Sequence, residues 1–155
     1  VSMGQIRMVE VGMRDGLQNE AVFLTEEQRI TFAKKLAAAG LVYIEAGAFV
    51  SPHWIPQMQG SASLISKLLK AQRAGRISQK VQWSALVPNV RGLNDAIESG
   101  VKEVAIFGAV SETFSRKNTN VSVAESLARF KEVMVIAHQN KIKVRGYLST
   151  AFACP

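Results

Sequence analysis

The sequence is short of several things, and each shortage excludes something. It holds one cysteine, Cys154, in 155 residues; no internal disulfide framework can form, and a reducing compartment suits the chain. No apolar run approaches the ~18 residues that a membrane span needs. The opening "VSMGQIRM" lacks the apolar core of a secretory signal. A cytoplasmic or organelle-matrix location with no membrane partner is therefore expected. Two tryptophans and two tyrosines are too few to interleave as stacking platforms for nucleic acid. No low-complexity stretch or linker divides the chain, and its length suits one domain, residues 1–155.

Positive charge is in excess, with a net +7 and a pI near 9.9. The basic residues are scattered, among them Lys34, Lys35, Lys67, Lys70, Arg73, Arg76, Lys80 and Arg91. Several fall on solvent faces of expected helices, so nucleic acid is not the expected partner. A phosphate-bearing substrate would use the same potential.

Strand and helix patterns alternate. Strands are expected at 5–12, 41–47, 81–87, 102–108 and 142–149. Helices are expected at 25–40, 61–73, 89–100 and 122–139. Thr25 with Gln28, and Ser122 with Glu125, have capping-box spacing, and Gly40 terminates the first helix. Ile30, Ala33, Leu36 and Ala37 form one buried stripe; Leu127, Phe130, Met134 and Ala137 form another. Such strand–helix repetition implies an α/β fold with a parallel sheet covered by helices.

Strand parity separates an open doubly wound sheet from a (β/α)₈ barrel. Val42, Ile44 and Ala46 oppose Tyr43, Glu45 and Gly47; Val144 and Leu148 oppose Arg145 and Tyr147. One face is apolar, while the other carries Glu10, Arg14, Glu45, Arg145 and Tyr147. A sheet buried on both faces reads as near-continuous apolar runs; a barrel interior can let opposite charges converge and pair. The expected fold is thus the N-terminal portion of a (β/α)₈ TIM barrel, four βα units plus a fifth strand. A complete barrel takes ~250 residues, so the chain is expected to be a fragment of a longer protein or to complete itself by association. An unclosed half-barrel would leave two strand edges open.

Catalytic groups of barrels sit on the loops after the strands. These positions gather Arg14, Asp15 and Gln18 after the first strand, the segment following Glu45, "GAVSETFSRKN" after the fourth, and Tyr147 and Ser149 at the end of the fifth. For Arg14 and Asp15 both to reach one site the strand must end there, with Gly16 permitting the turn. Asp15 offers a hard oxygen for Mg²⁺ or Mn²⁺, and Arg14 a permanent cation for a developing oxyanion. Taken alone, "RDG" is better accounted for by ordinary Asp-Gly turn chemistry after a strand.

Longer strings narrow the choice. "VEVGMRDGLQNE", "FVSPHWIPQM", "KEVAIFGAVSETFSRKN" and "VRGYLSTAFACP" together resemble the N-terminal part of the 3-hydroxy-3-methylglutaryl-CoA lyase family. It belongs to a barrel superfamily of metal-dependent lyases and acyl-CoA condensing enzymes. The resemblance runs through essentially the whole chain. It implies a retro-Claisen cleavage of an acyl-CoA to acetoacetate and acetyl-CoA, with a base deprotonating the hydroxyl and an acid quenching the enolate. It further implies Asp15 as a ligand of catalytic Mg²⁺ or Mn²⁺, Arg14 as enolate stabiliser, Gln18 as a donor nearby, and Glu45 as an acidic site residue. Tyr147 and Asn118, with Lys117, become substrate contacts, in a protein expected to be a homo-oligomer. Arg145 reads as structural, and His138 as a helix-end charge.

Some family features are missing. The remaining metal ligands, a His-x-His pair and an Asn, come later in the family, as does the glycine-rich loop with the catalytic cysteine. Cys154 matches a different Cys-Pro, after the fifth strand. His53 stands where relatives commonly carry Lys, and Ala48 where they often carry Ser. Little activity is expected of this chain alone. The competing readings are a sister aldolase or acyl-CoA condensing enzyme, and a half-barrel serving as a non-catalytic interaction module.

Overall fold

The computed structural model describes residues 6–154. Four strands, β1 (Tyr43–Ala48), β2 (Gln82–Leu86), β3 (Glu103–Ala109) and β4 (Lys143–Ser149), form a parallel sheet in the order β1-β2-β3-β4. Five helices connect and cover it: α1 (Glu26–Ala38), α2 (Ser61–Arg73), α3 (Val90–Ser99), α4 (Glu112–Thr119) and α5 (Val123–Gln139). A doubly wound sheet reverses its strand order at a switch point; this order never reverses. The fold is α/β, the N-terminal portion of a (β/α)₈ barrel.

Local chemistry fixes the helix ends as expected. The Thr25–Gln28 and Ser122–Glu125 capping boxes both form. Asn89 caps α3, and Gly100 closes it in the left-handed region at φ +87. The apolar layer between sheet and helices includes Ile44, Ala46, Leu64, Ile65, Leu68, Ala85, Leu93, Val104 and Val133.

The structure corrects five expectations. Residues 5–12 do not form a strand: residue 5 lies outside the described residues, and only Glu10 bridges Ile44. Glu10 spends its side chain on the local backbone instead, accepting the Gly12 N–H on Oε1 at 2.6 Å. It takes no part in the inner charge cluster, since it aligns with Ile44 rather than Glu45. The segment 111–118, expected as a loop, instead enters helix α4, capped by Ser111 and ended by Asn120 at φ 56. On α5 the buried positions are Ser126, Val133 and Ala137; Leu127 (57%) and Met134 (48%) are exposed. Helical spacing shows that a stripe is apolar, not whether something covers it.

The fifth correction concerns Gly16. The chain turns through one π-helical turn, Gly12–Gly16, in which the N–H groups of Arg14, Asp15 and Gly16 converge on the Val11 carbonyl. Gly16 has no positive φ there. Its conformational freedom is not what presents Arg14 and Asp15; the helical turn does that. Gly12 is the crowded one, for a Cβ would lie 2.7 Å from Glu10 Oε1.

Candidate active site

The inner face of the sheet is laid out by register. Glu45 aligns with Ser84, Ser84 with Glu103, and Glu103 with Lys143. One step of the pleat further along β4 stands Arg145, and beyond it Tyr147. The π-helical turn carries Arg14 over the end of β1.

These side chains meet on Glu45, which is 0% exposed. Its Oε1 accepts Arg14 Nε at 2.5 Å, and its Oε2 accepts Arg145 Nη2 at 2.5 Å and the Tyr147 hydroxyl at 3.0 Å. Arg14 also donates Nη1 to Asp15 Oδ1 at 2.6 Å. The Arg145 and Arg14 guanidinium carbons lie 4.5 and 5.4 Å from the Tyr147 ring centroid. Burial acts to lower the Arg14 and Arg145 pKa values, but Glu45 and Tyr147 beside them outweigh it, and both stand above the ordinary arginine value. Burial, with the Glu45 carboxylate adding to it, raises the Tyr147 phenol.

Asp15 is the outward member, its side chain 53% exposed. Its Oδ1 also accepts Gln18 Nε2, at 3.3 Å, and its carbonyl holds Asn19 Nδ2 at 2.6 Å. No hydrogen bond among the described residues engages Oδ2. Also among the described residues, no group of three or more His, Cys, Asp or Glu side chains could hold a metal. Asp15 therefore fits as one hard-oxygen ligand, well short of the six that Mg²⁺ takes.

Of the sequence-predicted residues, Arg14, Asp15, Gln18, Glu45 and Tyr147 come together, with Arg145 as a full member. Asn118 and Lys117 do not join them; both are exposed on α4, and no hydrogen bond among the described residues links them to the cluster. Cys154, exposed, donates its thiol to Ser111 Oγ at 3.1 Å, at the mouth but apart from Glu45. His53 is exposed, its ring edge-on to Trp54.

Sequence reasoning missed Glu103 and Arg7. Glu103 is 4% exposed, accepts Arg7 Nη2 at 2.6 Å, and stands 3.7 Å from Arg145 Nε. Its signal was available: a lone carboxylate in the apolar strand "KEVAIFG", open to the same parity argument that found Glu45. Buried Arg29 was missed too. It donates Nη1 to the Gln59 carbonyl at 2.9 Å and sits one turn before Ala33, on the buried stripe.

A sequential parallel sheet with chemistry-bearing residues at its C-terminal mouth defines the class: the first part of a (β/α)₈-barrel enzyme scaffold. The HMGL-like family model matches residues 5–155, and the chain belongs to that family. The 3-hydroxy-3-isohexenylglutaryl-CoA/hydroxy-methylglutaryl-CoA lyase of Pseudomonas aeruginosa is 49% identical over 97% of this chain and 48% of its own length. A crystal structure of hydroxymethylglutaryl-CoA lyase from Pseudomonas aeruginosa matches with a TM-score of 0.88 at 48% identity, over 97% of this chain and 48% of that one. An HMG-CoA lyase from Acinetobacter baumannii, solved with coenzyme A and 3-methylmalate, matches with a TM-score of 0.83 at 30% identity, over 94% of this chain and 45% of that one. The chain thus spans about half the length of the relatives it matches.

Proposed function

We propose that this chain is the N-terminal partial-barrel domain, residues 1–155, of a hydroxymethylglutaryl-CoA lyase. The reaction is cleavage of 3-hydroxy-3-methylglutaryl-CoA to acetoacetate and acetyl-CoA. The observation that carries the reading is Arg14, clamped by buried Glu45 beneath an exposed Asp15, on the string "RDGLQNE". The likeness to named lyases at 49% and 48% identity supports it.

Mg²⁺ or Mn²⁺, with Asp15 as one ligand, would polarise the substrate oxygens and lower the hydroxyl pKa. Arg14 supplies a cation that never titrates in the working range. Enolate charge grows only as the C–C bond breaks, so this cation favours the transition state over the ground state. Glu45 holds Nε and Asp15 holds Nη1, so the guanidinium is oriented before substrate arrives. Gln18 reaches Asp15 only at 3.3 Å, a weak hold that leaves its amide free to turn toward a substrate oxygen. Tyr147, kept protonated, fixes Glu45 through its hydroxyl and offers its ring to the acyl chain. Asn118 is a contact for the coenzyme A arm at the α4 rim. The protein acts as a homo-oligomer in a reducing compartment, cytosol or organelle matrix.

The test is acetoacetate release from 3-hydroxy-3-methylglutaryl-CoA by the full-length protein loaded with Mg²⁺. Arg14→Met is expected to lower kcat by about 10²-fold or more. Absence of acetoacetate from metal-loaded protein overturns the reading. The isohexenyl homologue belongs in the same assay, because it appears in the name of the Pseudomonas aeruginosa relative.

A further inference from the structure

The inner charges form one alternating series. From the N-terminal end of the strands to the mouth it runs Arg7, Glu103, Arg145, Glu45, Arg14, Asp15. Neighbours have opposite sign throughout. The ends are partly exposed, with side chains at 34% for Arg7 and 53% for Asp15. The four inner members sum to zero charge: two arginines and two glutamates.

Arg145 sits at the decisive joint. Nε and Nη2 of a guanidinium lie on one edge, the edge that grips a single carboxylate with two parallel bonds. Here that edge is divided. Nη2 donates to Glu45, while Nε is drawn toward Glu103 Oε1 at 3.7 Å. Nε and Glu103 Oε2 are both buried without a hydrogen-bond partner, so neither end of the Arg145–Glu103 pair is fully committed. Without the Glu103 charge, only the Tyr147 ring, 4.5 Å from the guanidinium carbon, would hold Nε away from Glu45. Arg145 would close on both oxygens of Glu45 and compete at Oε1 with Arg14 Nε, which holds that oxygen now.

We infer that Glu103 is a positioning residue for the Arg14–Glu45 site, acting through Arg145 to keep one Glu45 oxygen for Arg14. The inference rests on the functional reading above. Glu103 touches no reacting atom. Its effect is on where the Arg14 cation stands, and a displacement of that kind costs rate rather than substrate affinity.

Glu103→Gln in the full-length Mg²⁺-loaded protein is expected to lower kcat about 10-fold while KM stays within about 2-fold. Arg145→Met removes the competing fork, so Glu103→Gln/Arg145→Met is expected to turn over faster than Glu103→Gln alone. It should also equal Arg145→Met alone, since Glu103 acts only through Arg145. A wild-type kcat for Glu103→Gln, or a double variant slower than Arg145→Met, overturns the inference. If Glu103→Gln does not fold, the comparison of the double variant with Arg145→Met decides by itself. A crystal structure of Glu103→Gln separates this inference from the choice of reaction. Arg145 Nε bonded to Glu45, with Arg14 Nε displaced from its present position on Oε1, is the expected result; an unmoved Arg145 overturns the inference whatever the enzyme cleaves.

Discussion

Ile44 and Glu45 are neighbours on β1, both 0% exposed, and they are buried for opposite reasons. Ile44 faces the helices and is stabilised by leaving water. Glu45 faces the barrel interior and would be costly there alone, but it is surrounded by Arg14, Arg145 and Tyr147. One face of the strand tolerates many apolar substitutes. The other tolerates only a group that keeps every charge matched. The outer face builds the scaffold, and the inner face fixes where one cation points.

The largest expected effect comes from emptying the inner face. Glu45→Ala leaves two arginines sharing a buried site without their common carboxylate, and should destabilise the protein by about 4 kcal/mol in urea titration. A loss below about 1 kcal/mol would mean that the charges are solvated after all, and the contrast between the faces would collapse. Ile44→Ala is expected to cost about 3 kcal/mol through lost burial and the cavity left behind. It should change KM and kcat little, whereas Glu45→Ala should abolish turnover. Equal losses of activity in the two variants would erase the division of labour.

Tyr147→Phe sharpens the comparison at a smaller scale. It removes one donor to a charged acceptor and should cost about 1.5 kcal/mol at neutral pH. The phenol pKa is raised by folding, so the folded state holds that proton more tightly than the unfolded chain. The stability it contributes is complete below the ordinary tyrosine value near 10 and is lost as pH climbs through the raised folded value. Wild-type stability should therefore fall across that alkaline window, and the Tyr147→Phe profile should be flatter; parallel profiles would place the titration elsewhere. Ser122→Ala, far from both faces, should cost about 1 kcal/mol by opening the α5 capping box and leave kcat alone.

Legibility followed the range of the interaction. The capping boxes at Thr25 and Ser122, the Gly40 terminator and the parity of Glu45 were readable because each depends on residues a few positions apart. Parity placed Arg145 and Tyr147 correctly on the inner face, and the resemblance in "RDGLQNE" singled out Arg14, Asp15 and Gln18. Glu103 carried the same signal and was passed over amid apolar neighbours. The π-helical turn had no sequence mark, because alternation through residue 12 looked like a strand. It took the competition of Glu10 for the Gly12 N–H, and the Val11 carbonyl drawing in three donors, to turn the chain early. The exposure of Leu127 and Met134 depends on what lies against α5, which periodicity does not contain.

The opposition of apolar and charged faces, the helix ends and the α/β alternation were determined by the sequence alone, since they follow from periodicity and local hydrogen-bond chemistry. The tertiary structure decided which charges pair. Arg145 could have closed on Glu45 or on Glu103, and only their placement on β1, β3 and β4 divides its fork between them. Pairing of that kind is settled by distances of a few ångströms between residues up to 100 positions apart, and no local pattern encodes those.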